Sequence, residues 1–273
     1  MIRRLGLFGA ALLMLALGFW AGGVKPANAA SALSDWAAVV VAGDFRAHSG
    51  QPSEAFDNAR RDVARQLVGI GFSPANVREF SVRPERYPGE RLMVSDPDLI
   101  GDKLADLASQ AHGGCLVYFS SHGSPDGVLV GPRLLSPAGL SLIVDEACGE
   151  RPTAVIISAC FSGVFVTPLS RPDRFVLTAA RPDRSSFGCG SSDRYPYFDA
   201  CVIQTLPEAS DFADLGRKVQ LCVSAKEKAT GMTPPSEPQM FIGSELKPVI
   251  AFYPFEHELA ATASPVSKAH RTP

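Results

Sequence analysis

Four runs in this chain, AAVVVAG at 37–43, CLVYFSS at 115–121, TAVIIS at 153–158 and RFVLTAA at 174–180, are apolar almost throughout rather than at every second residue. A strand with one wet face alternates apolar and polar residues. An unbroken run is buried on both faces, as in the centre of a parallel sheet. Parallel neighbours need crossover helices, and the intervening segments supply them. Between the first and second runs, Phe56, Ala59, Val63, Leu67 and Ile70 form one apolar stripe on a helix expected over 53–68. NVREFSV reads as a further strand. SDPDLIGDKLADLASQ reads as a helix capped by Asp96, with Pro97 at its first position and Ile100, Leu104 and Leu107 facing inward.

The order continues with a short hairpin at SPDGVLVGP, a helix begun by Ser136-Pro137, and a last long helix over 210–229 with Phe212, Leu215, Val219 and Cys222 on one face. PQMFIGSEL closes the pattern as a strand. Residues 181–197, RPDRSSFGCGSSDRYPY, form a long polar loop of the kind that is usually functional or disordered. Its arginines, Arg181, Arg184 and Arg194, read as solvated charges. The fold class is α/β, a mainly parallel sheet covered on both faces.

In such sheets ligand sites lie beyond the carboxyl ends of the strands. Two runs end there on reactive side chains: CLVYFSS continues into His122-Gly123, and TAVIIS into Ala159-Cys160. A thiol attacks as its thiolate, a minor species at neutral pH unless a base assists. An imidazole can take that proton and later return it to a departing amine, an effect of roughly 10²–10⁴-fold. Gly123 leaves its N–H unobstructed, and Cys160 opens a turn, so both backbone N–H groups are candidate oxyanion donors. Either residue alone would read more plainly as a surface histidine or a core cysteine; the pair carries the functional reading. Ser162 is not the centre of a G-x-S-x-G elbow. HGGC at 112–115 offers too few ligands for zinc, and no HExxH or CxxC occurs, so no metal is expected.

The N-terminus reads as a targeting segment. MIRR is basic, residues 5–24 carry no charge, and Ala27-Asn28-Ala29 has the form of a cleavage site. The rival reading is an uncleaved anchor, since the run is long enough to span a bilayer and residues 5–24 are the one candidate for membrane association. Either way the expected location is the periplasm or the exterior, with retention at the inner membrane as the alternative. A formal charge of −2 gives no basic excess for nucleic acid, and none is expected as a partner. Export permits disulfides among the six cysteines. If Cys160 works as a thiol, at least one other cysteine is unpaired; Cys189 and Cys201, flanking the polar loop, are the first candidate pair. Cys115 and Cys222 read as small core residues.

VYFSSHG followed by a small hairpin and VIISACFSG resembles the legumain family of cysteine peptidases, peptidase family C13 in the caspase-like clan CD. VVVAG resembles that family's first strand, and LTAARPDRSSFGC the segment after its fifth. The resemblance runs from about Trp36 to Phe241 and points to an exported bacterial member. It implies a three-layer α/β/α sandwich around a six-stranded, mainly parallel sheet, with Cys160 as nucleophile, His122 as catalytic histidine, Gly123 in the oxyanion hole, and no cofactor. The division expected is a signal peptide or anchor over 1–29, a caspase-like peptidase domain over 34–255, and a flexible tail over 256–273. The activity implied is endopeptidase action on peptides or proteins through an acyl-enzyme.

The pattern departs from the family around the substrate. Ser158 stands where legumains carry a glutamate that helps to bind a P1 asparagine. Arg46 and His48 occupy the loop where the family has an asparagine and an arginine. An aspartate in the loop after the fifth strand corresponds to Asp199. These four are the expected substrate-binding residues, and P1 Arg or Lys is as open as Asn. The tail is too short for the eukaryotic prodomain, so activation differs or is absent; cleavage within 181–197 is one hypothesis. A catalytically silent binding module on the same fold is the rival from another class.

Overall fold

The computed structural model describes residues 30–257. The leader read over 1–29 and the tail beyond 257 lie outside the described residues. Among the described residues no helix is long and apolar enough to cross a membrane.

The chain begins with β1 (Trp36–Ala42), buried at every residue. It continues through α1 (Ala55–Gly69), β2 (Val77–Ser81), β3 (Met93–Val94), α2 (Pro97–Ala108) and β4 (Gly114–Ser120). A small antiparallel sheet follows, made of β5 (Gly123–Ser124), β6 (Gly127–Val130) and β7 (Arg133–Leu135). Then come α3 (Pro137–Cys148), β8 (Thr153–Ser158), α4 (Val166–Leu169), β9 (Arg174–Thr178), α5 (Tyr197–Thr205), α6 (Phe212–Thr230) and β10 (Gln239–Ile242). The main sheet has the order β10-β9-β8-β4-β1-β2-β3 and is parallel except for β10 on β9. It therefore has seven strands where six were expected. The extra one is the two-residue β3, which pairs Phe80 with Met93 and Ser81 with Val94 and is too short to show as a pattern.

The unbroken apolar runs have the two-sided burial they require. Alternate residues feed two separate cores. Ala38, Val40, Leu116, Tyr118, Ile156 and Leu177 join Val63, Leu67, Val202, Leu215 and Val219 on the face covered by α1, α5 and α6. Val39, Val41, Val117, Phe119, Ile157 and Val176 join Ile100, Leu104, Leu140 and Val144 on the face covered by α2 and α3. The whole stripe expected on α1, from Phe56 to Ile70, is buried. The capping expectations hold as well: Asp96 accepts from the N–H groups of Asp98 and Leu99, and Ser136 from that of Gly139.

The cysteine pairing differs from expectation. Cys115 is bonded to Cys148 and Cys201 to Cys222, leaving Cys160 and Cys189 free. The expected Cys189–Cys201 pair fails because Cys201 sits on a helix that turns it away from the loop. It lies on α5, turned inward against α6, where Cys222 sits with Cα atoms 5.7 Å apart. Cys115 lies in the core as read, yet bonded to the last residue of α3. Each bridge closes a loop of a few tens of residues, and bridges of that size stabilise by about 3 kcal/mol. Cys201→Ala with Cys222→Ala is expected to lower the unfolding free energy by that amount, measured in urea; an unchanged midpoint would mean that α5 and α6 are held by packing alone.

Candidate active site

The pairing of β4 with β8 sets the site. Ser120 lies opposite Ser158 at the ends of the two parallel strands. His122 and Cys160 each follow two residues later, so the sequence brings both to the same edge. The N–H of Ser121 donates to the carbonyl of Ser158 (3.0 Å), extending the alignment past the last strand pair. Gly123 packs directly on the Cys160 backbone: a Cβ there would lie 2.2 Å from the Cys160 carbonyl oxygen and 2.9 Å from Ala159 Cβ. Only a residue without a side chain lets the two strand ends approach so closely.

Cys160 leads into Phe161, which has φ 57°, an uncommon conformation for a residue with a side chain. The turn is held because the Phe161 N–H donates to the Arg184 carbonyl (2.7 Å). Ser162 is fully buried, its hydroxyl accepting from the Ala180 N–H (3.2 Å), so it is unavailable as a nucleophile. Two backbone donors remain beside the thiol. The N–H of Cys160 has no acceptor among the described residues. Leu129 N–H donates to His122 O (2.9 Å), which makes Gly123–Val128 a non-hydrogen-bonded pair and turns the Gly123 N–H away from the hairpin.

The imidazole is fixed on two sides. His122 Nε2 lies 2.8 Å from the Arg46 carbonyl oxygen, and the ring stands edge-on to Phe56 with centroids 5.0 Å apart. A carbonyl only accepts, so Nε2 carries the proton and Nδ1 is the free base. The thiol is held by the polar loop: Ser186 N–H donates to Cys160 Sγ (3.3 Å), and Sγ lies 3.5 Å from the Ser186 carbonyl oxygen. That loop is not a loose arc of solvated charge. Arg181 pairs with Asp183 and Glu237, Arg194 with Asp62, and Tyr195 OH donates to Asp62 on α1. Its Cys189 carbonyl accepts from the N–H of His48 (3.2 Å). Burial, aided by the nearby charge of Cys160, pushes the Cys189 thiol pKa up.

Asp199 lies in the first turn of α5 rather than in the loop before it, and is completely buried. Its carboxyl accepts from Tyr118 OH (2.5 Å), Ser120 Oγ (3.0 Å) and Ser158 Oγ (2.5 Å). The three hydroxyls project from the same face of β4 and β8, one step below His122 and Cys160. Burial pushes the Asp199 carboxyl up to about 7 despite the opposing effect of these hydrogen bonds. Arg46 and His48 sit on the rim with exposed side chains. Sequence reading missed Ser120 and Tyr118 as partners of Asp199, although their spacing of two on one strand was the available signal. It also missed Ser186. Among the described residues no three His, Cys, Asp or Glu side chains cluster as metal ligands would.

By fold the chain is caspase-like: it matches caspase-1 from Spodoptera frugiperda with a TM-score of 0.56 and 16% identity, over 78% of this chain and 88% of that one. The sequence model of the Peptidase C13 family matches residues 93–222, the segment that carries His122, Cys160 and Asp199 but not Arg46 or His48. No curated protein matches the chain. The expected resemblance is borne out: residues 93–222 are similar to the Peptidase C13 family, a family of peptidases, and the fold is caspase-like.

Two outcomes test the site as built. Gly123→Ala is expected to cost about 2 kcal/mol in urea unfolding, because backbone rather than a movable side chain must yield. For Asp199 the pKa is raised in the folded state. The stability it allows is complete below about pH 4, its ordinary range, and is lost as pH rises through about 7. Unfolding free energies measured from pH 4 to 8 should fall for the wild type relative to Asp199→Asn. Parallel curves would mean that Asp199 does not titrate in this window.

Proposed function

We propose that the chain is a cysteine endopeptidase in which His122 and Cys160 cleave peptide bonds through an acyl-enzyme. The observation that carries this reading is the approach of Gly123 to the Cys160 carbonyl, which joins the histidine-bearing strand end to the cysteine-bearing one. His122 Nδ1 takes the thiol proton, and Sγ attacks the substrate carbonyl carbon. The oxyanion is met by the N–H groups of Gly123 and Cys160; losing one such donor typically costs about 10²–10³-fold. His122 then gives its proton to the leaving amine. Water, deprotonated by the same imidazole, releases the acyl group and restores the thiol.

Asp199 and Ser158 form the floor of the substrate pocket in this reading, and Arg46 and His48 its rim. With its carboxyl near 7, Asp199 makes the floor more anionic as pH rises through neutrality, which favours a P1 Arg or Lys. Residues 34–255 act as the peptidase domain, and 1–29 as the export signal or anchor. Two disulfides fit that oxidising destination.

The test is mass-spectrometric labelling with peptidyl acyloxymethyl ketones bearing P1 Asn, Asp, Arg or Lys, on wild type, Cys160→Ala and His122→Ala. Labelling at Cys160 that collapses in His122→Ala is the expected result, and the probe series ranks P1. A folded, reduced protein that takes up no probe would favour the silent binding module.

A further inference from the structure

We propose that Arg83 is a positioning residue for His122, acting through Phe45 and the Arg46 carbonyl. The inference rests on the cysteine–histidine reading above and extends it to a residue from another part of the sheet.

The imidazole's one backbone partner among the described residues, the Arg46 carbonyl, belongs to the turn that follows β1. This turn is small, braced by its own bonds, and tied to the polar loop by His48 N–H on Cys189 O (3.2 Å) and Ser53 Oγ on Gly190 O (3.3 Å). Ser53 N–H donates to Phe45 O (2.8 Å), Ala47 N–H to Gln51 O (2.7 Å) and Gly50 N–H to Ala47 O (2.8 Å). Arg46 and Pro52 form an isolated antiparallel bridge between its two arms. Its tip, His48 to Gln51, is exposed. The ties to the polar loop reach the tip and the leaving arm but not Phe45 on the entering arm, where any tilt would carry the adjoining Arg46 carbonyl away from Nε2.

Arg83, just past the end of β2, holds both arms at the base. Its guanidinium carbon lies 4.4 Å from the centroid of the Phe45 ring on the entering arm. One nitrogen donates to the Ser53 carbonyl (3.2 Å) on the leaving arm and to Glu54 Oε1 (3.2 Å). The same nitrogen lies 3.8 Å from Asp57 Oδ2 on α1, the helix whose Phe56 touches the imidazole edge. Glu54 is fixed in turn by Tyr87 OH and by Arg86 at 3.3 Å. The guanidinium thus ties β2 to both sides of His122, the carbonyl side through Phe45 and the aromatic side through α1.

A purely structural role explains this arrangement less well. The Arg83 side chain is only 11% exposed, and its Nε is buried without a hydrogen-bond partner. Arg83 does offset the buried charge of Asp57, but a lysine would supply that charge as well, so charge alone does not explain an arginine here. What an arginine alone provides is a planar cation that stacks on an aromatic ring while its nitrogens reach a carbonyl and a carboxylate. A lysine keeps the charge and loses the plane.

The test needs no substrate. Cys160 is alkylated with iodoacetamide in wild type, Arg83→Lys, Arg83→Met and Phe45→Leu, and the His122 ring nitrogens are followed by NMR. The expected result is a slowing of about 10-fold or more in all three variants, as for a misplaced catalytic group, with loss of the single Nε2-protonated form. Phe45→Leu leaves every Arg83 ion pair in place, so it decides the matter if the Arg83 variants fail to fold. Folded variants that alkylate within twofold of wild type, with unchanged ring signals, would overturn the inference. If His122→Ala itself leaves alkylation unchanged, the cysteine–histidine reading falls first and the positioning role with it.

Discussion

Everything in the site depends on the register between β4 and β8. Parallel strands are pinned by evenly spaced hydrogen bonds, and a slip of one residue would turn every side chain to the opposite face. With Ser120 opposite Ser158, residues two steps beyond each strand point to the same side at the same height. A histidine and a cysteine far apart in the chain therefore share one edge. The register is enforced from below by the packing of Tyr118 and Ile156 on one face and Phe119 and Ile157 on the other.

The same parity produces the buried acid. Tyr118, Ser120 and Ser158 point to the α5 side, and α5 brings Asp199 onto all three. Burying a carboxylate is unfavourable unless its oxygens are well bonded. Three hydroxyls reduce the penalty without cancelling it, so the group stays poised near neutrality. The Cys201–Cys222 bridge between α5 and α6 fixes the helix that carries this aspartate. The site is thus assembled on a sheet edge, supported by a bonded helix, and closed by a loop and a turn tied to α1.

Much of the framework was legible because two-sided burial and helical periodicity are local properties of sequence. The four apolar runs, the α1 stripe from Phe56 to Ile70 and the caps at Asp96 and Ser136 are all as read. His122 and Cys160 were legible as the residues on which buried strands stop. What was not legible depends on contacts between distant segments. The two-residue β3 exists only because β2 is there to pair with it. Helix α5, short and weakly patterned, was not read between the polar loop over 181–197 and the helix over 210–229. The cysteine pairing was misjudged for the same reason, since Cys201, read as flanking the loop, lies on that helix and faces α6.

The sequence by itself determined an α/β sheet buried on both faces, the order of its longer elements, and the two residues at the critical strand ends. Each follows from periodicity or punctuation within some twenty residues. Only the tertiary structure decided which oxygen holds the His122 ring, which hydroxyls surround Asp199, and which thiols remain free. These are meetings of groups from different elements, set by strand order and helix direction, and no local pattern encodes a partner forty or eighty residues away.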